Sequence, residues 1–260
     1  MALPNWATTA LRGLAVAVAA LAVWEVLYRA HILDNASFPS AIDAVKALGK
    51  ATATSEFWSA VWRTLEAWAL GLLIGTGAGI VVGVLTGLNE FAYRSLNLLV
   101  EFLKTVPVVA ALPLAILIFG TTVKMNVMLV ALGITWPVLI QAAYGVRSVE
   151  PTVRDTATVF RMTGPDRLLN VVLPSAAPYI ATGLRLASTS ALLLVVVAQL
   201  IGGGGGLGYQ IFVAQNSNLL PQMYALVIVV GLLGVLITAV FGRLERHALR
   251  WHESQRSVVI

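Results

Sequence analysis

Long apolar runs separated by short polar segments dominate the chain. A helix needs about 20 apolar residues to cross a hydrocarbon core of roughly 30 Å, so each run of that length predicts a membrane-spanning helix. The predicted spans are residues 11–30, 65–88, 99–120, 125–146, 175–201 and 222–242. The first run resembles a secretory signal, but no small-residue cleavage site precedes Trp24-Glu25, and we interpret it as a retained signal-anchor.

The segment between the first two predicted spans has a helical period of its own. Apolar residues recur at helical spacing over residues 41–51, and Pro39 or Ser40 is placed to begin that helix. Phe57, Trp58 and Trp62 follow, and aromatic residues concentrate where a membrane meets water. We therefore predict an extracytoplasmic interfacial helix. The predicted organisation is an N-terminal unit (1–64), a core transmembrane unit (65–242) and a cytoplasmic tail (243–260).

Composition supports a membrane protein. Apolar residues make up 58% of the chain and charged residues 11%, with a mean hydropathy of +0.86. A water-soluble globule of this composition would lack the polar surface that it needs, so membrane lipid is the expected surrounding. The net charge of +5 is spread singly or in pairs between the apolar runs, and it predicts no nucleic-acid surface.

The distribution of Lys and Arg predicts the orientation of the spans. One side would carry Arg12, Arg94, Arg147, Arg154, Arg161, Arg167, Arg243, Arg246, Arg250 and Arg256. The opposite side would carry only Arg29, Lys46, Lys50, Arg63 and Lys124. Because basic residues accumulate on the cytoplasmic side, we expect both termini in the cytoplasm.

The residues of catalytic and cofactor sites are missing from the sequence. There is no cysteine, and the three histidines are scattered, so neither a metal site nor thiol chemistry is predicted. No GxxxxGK[ST] motif occurs, and the formal GxGxxG at Gly203, Gly205 and Gly208 lacks a βαβ context. We expect these glycines to form a tight turn into a short helix over residues 209–215. The chain is predicted to be neither an enzyme nor the holder of a cofactor.

Glycine recurs at every fourth position of the second predicted span. Such a stripe lets another helix approach closely, which is how membrane helices associate. We predict helix packing here, within or between subunits, with a moving pore-lining contact as the alternative. The stripe consists of Gly71, Gly75, Gly79, Gly83 and Gly87.

Polar residues inside the predicted spans are candidates for a translocation pathway. Glu25, Glu66 and Arg185 lie near span ends, where long side chains reach water, and Glu101 is spaced to pair with Lys104. Prolines at 107, 113 and 137 predict irregular middle spans. The pathway candidates are Lys104, Trp136, Gln141 and Gln199.

The loop over residues 149–174 is the most informative segment. Pro151 suits the first turn of a helix, and Val153, Ala157 and Phe160 fall on one face of it. Gly164-Pro165 then ends the helix. A short helix held between two spans suits a groove in another protein, and a helix lying on lipid headgroups is the alternative.

Asp155-Thr156-Ala157, followed by Val171-Val172-Leu173-Pro174, resembles the EAA loop of permease subunits of binding-protein-dependent ABC importers. Further segments resemble the nitrate, sulfonate, taurine and bicarbonate branch of that family, and the likeness covers nearly the whole chain. These segments are 38–40, 107–120, 183–185, 206–209, 215–216, 223–224 and 244–246.

The resemblance implies an all-α membrane protein with about six spans and the MetI-like, type I ABC importer architecture. It implies a homodimer in the bacterial cytoplasmic (inner) membrane, two ATPase subunits that use ATP and Mg, and an extracytoplasmic binding protein. The loop would be the element that couples the ATPase to the spans. The implied coupling residues are Val153, Asp155, Ala157, Phe160, Arg161 and Gly164.

The sequence departs from the family pattern at two places. Arg161 stands where the loop usually has glycine, and Gly164 is the nearest glycine, so we expect the break between the loop's short helices to move by about three residues. Ala198-Gln199 stands where an acidic residue is common. The branch implies a small anion as substrate, with a thiamine-precursor pyrimidine or an aromatic acid as alternatives.

Two rival functions remain at this stage. A secondary transporter or channel would need no ATPase, but it predicts an inverted repeat, and no internal repeat is evident. An intramembrane enzyme would need a Ser/His pair, paired Asp residues or a His-rich cluster within the spans, and the sequence has none of these there.

Overall fold

The computed structural model describes residues 5–34 and 36–250 and is built from helices, with no strand in that part of the chain. The last ten residues of the predicted tail lie outside it. The helices in chain order are α1 (Asn5–Arg29), α2 (Ala41–Thr52), α3 (Ser55–Leu88), α4 (Glu90–Thr105), α5 (Leu112–Phe119), α6 (Val123–Arg147), α7 (Pro151–Val159), α8 (Gly164–Arg167), α9 (Leu173–Gly202), α10 (Leu207–Asn216) and α11 (Leu220–Ala248).

Within the residues that the structure describes, four helical stretches are long and apolar enough to cross a membrane. They are α3, α6, the stretch Gly164–Gly202 that runs from α8 through α9, and α11. They correspond to the second, fourth, fifth and sixth predicted spans. The first predicted span coincides with α1, which is not among these four.

The third predicted span, residues 99–120, is not one straight helix. α4 and the segment Val108–Phe119 are long and apolar enough for one span only when taken together, and they are bent by 82° at the break between them. Pro107 is the physical reason, because a proline disfavours the helical conformation of the residue before it. Val106 is extended, with φ −69° and ψ 121°, and α4 ends at Thr105.

α3 and α6 form the most extensive helix pair in the described structure, and α9 packs against both. The five predicted glycines lie along this contact. A Cβ built on any of them would come within 2.5–2.8 Å of an atom of α6. Trp68 of α3 donates a hydrogen bond from Nε1 to the Ser188 carbonyl oxygen of α9 at 2.8 Å. These three helices form the main core, together with α10 and α11.

The N-terminal segment is fastened where α1 ends and α2 begins. Of the two residues predicted to begin α2, Ser40 is the N-cap, and it accepts a hydrogen bond from the Asp43 amide. Glu25 accepts a hydrogen bond from the Ser40 hydroxyl at 3.0 Å and pairs with Arg29 at 2.7 Å. Trp58 is exposed, but Phe57 is buried in the main core, so the expectation that Phe57 anchors the membrane interface is wrong.

The bundle has two distinct ends. α6 finishes and α9 begins at one end, with α7 and α8 between them. At the other end α3, α6, α10 and α11 begin and α9 finishes. There a turn over Gly203–Gly206 connects α9 to α10, and the predicted short helix covers Leu207–Asn216. All four glycines have φ between +78° and +95°, a conformation that disfavours other residues.

Candidate functional site

The loop between α6 and α9 presents a short helix at the surface. Pro151 occupies its first turn, where a missing N–H has no cost. Ala157 is only 3% exposed and fixes α7 to the bundle, so in this conformation it is not available to a partner. Val153, Val159 and Phe160 are exposed, Phe160 to 77%. The three residues of the predicted face therefore differ: Ala157 is a buried anchor, whereas Val153 and Phe160 are exposed.

Arg161 makes the turn that ends α7. Its φ is +49°, and its amide donates to the Thr158 carbonyl while the Met162 amide donates to the Ala157 carbonyl, both at 3.0 Å. This pair of bonds is the Schellman pattern, which usually has glycine at the position of Arg161. The expected three-residue displacement of the break is therefore wrong, because Arg161 itself adopts the left-handed conformation.

Gly164 begins the next short helix and does not end the previous one. Thr163 caps α8 by accepting a hydrogen bond from the Asp166 amide. A π-helical turn over Leu168–Val172 then continues into α9 without a break. Val172 is buried beside Val146 and Ala176, so the loop is continuous with both spans that flank it.

α6 and α9 pack closely at the end of the bundle that carries the loop. A Cβ on Gly145 would lie 3.0 Å from Ala176, and one on Gly183 would lie 3.0 Å from the side chain of Gln141. Such close contact leaves little room for the two helices to slide independently. Displacement of the loop would therefore move α6 and α9 together.

An ionic cluster ties α4 to the same end of α6. Glu90 pairs with Arg147 at 2.6 Å and with Arg94 at 2.7 Å, and the Arg147 guanidinium lies 4.1 Å from the centre of the Tyr93 ring. A cavity of about 650 Å³ lies between this cluster and the loop. Arg154 and Arg167 line it, and no ion pair involves either within residues 5–34 and 36–250. Three arginines and one carboxylate, that of Glu90, therefore line this cavity.

The four pathway candidates do not share one environment. Lys104 pairs with Glu101 at 2.6 Å on the surface of α4. Trp136 lines a cavity of about 120 Å³ between α4 and α6, and Gln141 is half-buried against α9. Gln199 is completely buried, so it lines no open passage in this conformation.

Gln199 belongs to a buried polar network that the sequence did not reveal. Its Oε1 accepts hydrogen bonds from the Thr64 hydroxyl at 3.0 Å and the Gly208 amide at 3.2 Å. Thr64 in turn accepts a hydrogen bond from the Leu207 amide at 2.9 Å. The network fixes the start of α10 against α3 and α9. The role of Thr64 could not be predicted from the sequence, because a single threonine in an apolar helix commonly bonds only to its own backbone.

Arg185 and Glu245 form a second contact that crosses helices. Arg185 of α9 pairs with Glu245 of α11 at 3.1 Å, and Glu245 also accepts a hydrogen bond from the Thr182 hydroxyl at 3.4 Å. Arg185 was expected to reach water near a span end, and its partner lies 60 residues further along the chain. The spacing of residues along one helix cannot predict an ion-pair partner that lies on another helix.

The profile of the family described as "Binding-protein-dependent transport system inner membrane component" matches residues 75–250. That range includes the loop, α6, α9 and α11. The chain belongs to this family. It is therefore the permease subunit of an ABC importer and a multi-pass protein of the inner membrane.

Two permeases of known families of importers are similar in sequence to this chain. It is 30% identical over 244 residues to the putative aliphatic sulfonates transport permease protein SsuC of Bacillus subtilis, covering 94% of this chain and 88% of the relative. It is 32% identical over 194 residues to the nitrate import permease protein NrtB of Leptolyngbya laminosa, covering 75% and 69%.

A solved structure has the same fold. An inward-facing MetNI methionine ABC transporter superposes with a TM-score of 0.64 at 19% identity, over 73% of this permease and 94% of that chain. The architecture implied by the sequence, an all-α MetI-like importer permease, is confirmed.

Proposed function

We propose that this permease forms the translocation pathway of an ATP-driven importer for a small oxyanion. Two ATPase subunits would hydrolyse ATP with Mg, a second copy of the permease would complete the pathway, and an extracytoplasmic binding protein would deliver the solute. The observation that carries the proposal is the short helix α7, which is anchored by Ala157 and exposes Phe160.

The exposed part of α7 has the features of a protein contact. Val159 and Phe160 are adjacent large apolar side chains in contact with water, next to Asp155 and Arg161. A buried aromatic anchor with a charged rim is typical of the centre of a protein interface. Because the π-helical turn joins the loop directly to α9, force applied at Phe160 would reach the spans.

The substrate class is the finer part of the proposal, and the names of two relatives support it. Their names specify aliphatic sulfonates and nitrate, which are both small oxyanions. Uptake measured with the cognate binding protein tests this point. We expect nitrate or a short alkyl sulfonate to be taken up, and a preference for a neutral or cationic solute would overturn it.

The first experiment is co-purification of the permease with its cognate ATPase. We expect wild type to retain the ATPase, and Asp155→Arg combined with Phe160→Ala to lose it by about tenfold or more, because loss of an aromatic anchor removes a binding hot spot. Trp62→Ala is the matched control, since Trp62 is similarly exposed but lies near the start of α3, at the opposite end.

Two outcomes would contradict the proposal. If a well-folded wild-type permease retains no ATPase, an autonomous transporter becomes the better explanation. If the double variant retains as much ATPase as Trp62→Ala does, α7 is not the coupling element. Size-exclusion profiles of all variants in detergent check that folding is unchanged.

A further inference from the structure

A cavity of about 840 Å³ lies at the end of the bundle opposite the coupling loop. The beginnings of α3 and α6 and the glycine turn between α9 and α10 contribute to its walls. If the loop faces the cytoplasm, this cavity opens toward the side from which an imported solute arrives. Its polar lining comes mainly from Arg63, Thr121, Lys124, Gly203–Gly205 and Tyr209.

The charge of the cavity is uniformly positive. Arg63 and Lys124 line it, and none of the lining residues is Asp or Glu. Neither cation has an ion-pair partner among the residues that the structure describes. By contrast, Arg29 pairs with Glu25, and Lys46 pairs with Asp43. Cations that line one cavity without carboxylates concentrate anions in it.

The glycine turn brings unpaired donors to the same wall. Within the described chain, the amides of Gly204 and Gly205, which line the cavity, donate to no acceptor. A Cβ on Gly205 would lie 2.8 Å from Nη1 of Arg63, so glycine is what lets the guanidinium lie against the turn. A guanidinium beside backbone amides matches the several acceptor oxygens of a sulfonate or nitrate.

Two buried amides behind the turn also have unused hydrogen-bonding capacity. Asn126 is completely buried next to Gly204, and neither its Nδ2 nor its Oδ1 has a partner in the described residues. Nε2 of Gln199 likewise has none and lies against Gly206. Unpaired buried amides cost free energy, and both lie directly behind the glycine turn.

We infer that this cavity is the site where the permease receives its substrate anion, with Arg63 and Lys124 as the residues that bind the oxyanion. The inference rests on the proposed function and adds the receiving site to it. A phosphate group of a lipid headgroup has the same chemistry. The experiment below distinguishes the two sources, because a free sulfonate and an anionic lipid are tested separately.

Thiol labelling tests the inference without the ATPase or the binding protein. The chain has no cysteine, so Thr121→Cys places a single thiol in the cavity. Two methanethiosulfonates, one with a sulfonate and one with a trimethylammonium group, react with it by the same disulfide-forming step. The ratio of their rates measures the local preference for anions, because the reactivity of the thiol itself cancels. Ser217→Cys, exposed on the connection from α10 to α11, is the control.

We expect the rate ratio, sulfonate over ammonium reagent, to be roughly tenfold higher at Thr121→Cys than at Ser217→Cys. Adding Arg63→Gln or Lys124→Gln should each reduce the ratio, and the two changes together should bring it to the control value. Lys124→Gln is informative even if Arg63→Gln disturbs the turn. Millimolar ethanesulfonate should slow labelling at Thr121→Cys in detergent free of anionic lipid. Equal ratios at the two positions, or protection only by phosphatidylglycerol, would overturn the inference.

The labelling results and the ATPase co-purification test different claims, so failure of one can be distinguished from failure of the other. If the ATPase co-purifies but the cavity has no preference for anions, the receiving site is wrong and the importer proposal stands. If the preference exists but no ATPase associates, the importer mechanism is wrong and the anion site stands.

Discussion

Arg161 pays a conformational cost that a glycine at the same position would avoid. A residue with a Cβ in the left-handed region is disfavoured by roughly 1 kcal/mol, and Arg161 has a φ of +49°. Arg161→Gly should therefore stabilise the end of α7 by about that amount. Hydrogen exchange at the Met162 amide, which bonds to the Ala157 carbonyl, should become about fivefold slower.

The control for this prediction is Arg161→Ala. That change removes the charge but keeps the Cβ, so exchange at Met162 should stay near the wild-type rate. If alanine slows exchange as much as glycine does, the effect comes from the charge of Arg161 and the conformational explanation is wrong. Arg161 also shows a limit of predictions from motif spacing. The absence of glycine suggested that the break between the two short helices is displaced. In the structure the turn stays at position 161, and Arg161 adopts the strained left-handed conformation.

At the level of helices, the contact between α3 and α6 yields a test with a control on the same helix. A Cβ on Gly75 would lie 2.5 Å from Cγ1 of Ile134 and 2.6 Å from the Ala131 carbonyl oxygen. Gly75→Ala should therefore destabilise the permease by about 2 kcal/mol, as overpacking does. The measurement is the apparent melting temperature in detergent, which should fall by several degrees.

Gly77→Ala is the matched control. Nothing lies within 4 Å of a Cβ at Gly77, on the exposed side of α3. Alanine favours the helix by roughly 0.5–1 kcal/mol over glycine, so this variant should melt at or slightly above the wild-type temperature. If Gly75→Ala and Gly77→Ala behave alike, close approach of α6 does not explain the stripe.

Sequence periodicity predicts which residues share a face of a helix, but it does not predict which other helix packs against that face. The spacing of Gly71 to Gly87 predicts a close contact, but only the fold shows that α6 makes it. The end of α4 before Pro107 follows from local sterics, whereas the 82° bend after it depends on the packing of the whole bundle. Gln199 looked like a pathway residue because a polar side chain in a span suggests function, and its partners Thr64 and Gly208 are visible only in three dimensions.

Across the whole molecule, two helices connect the loop between α6 and α9 with the cavity at the far end. α6 runs from Lys124 in the cavity to Arg147 beside the loop, a length of about 37 Å for its 25 residues. α9 runs from the loop to the glycine turn, and the two helices touch at Gly145 and Gly183. α6 is continuous across Pro137 and α9 across Pro178, so a movement imposed on α7 would reach the cavity through two unbroken helices.

This connection predicts that nucleotide binding is detectable at Thr121. In the assembly with the ATPase, ATP binding should change the rate at which Thr121→Cys reacts with the sulfonate reagent by about fivefold or more, the usual scale of coupling between distant sites. Adding Asp155→Arg should abolish that change, because Asp155 lies exposed on α7, where the ATPase is proposed to bind. The rate without nucleotide should stay the same, since Asp155 is at the opposite end from the cavity. A nucleotide response that survives Asp155→Arg in a complex that still contains the ATPase would mean that the spans are driven from another contact.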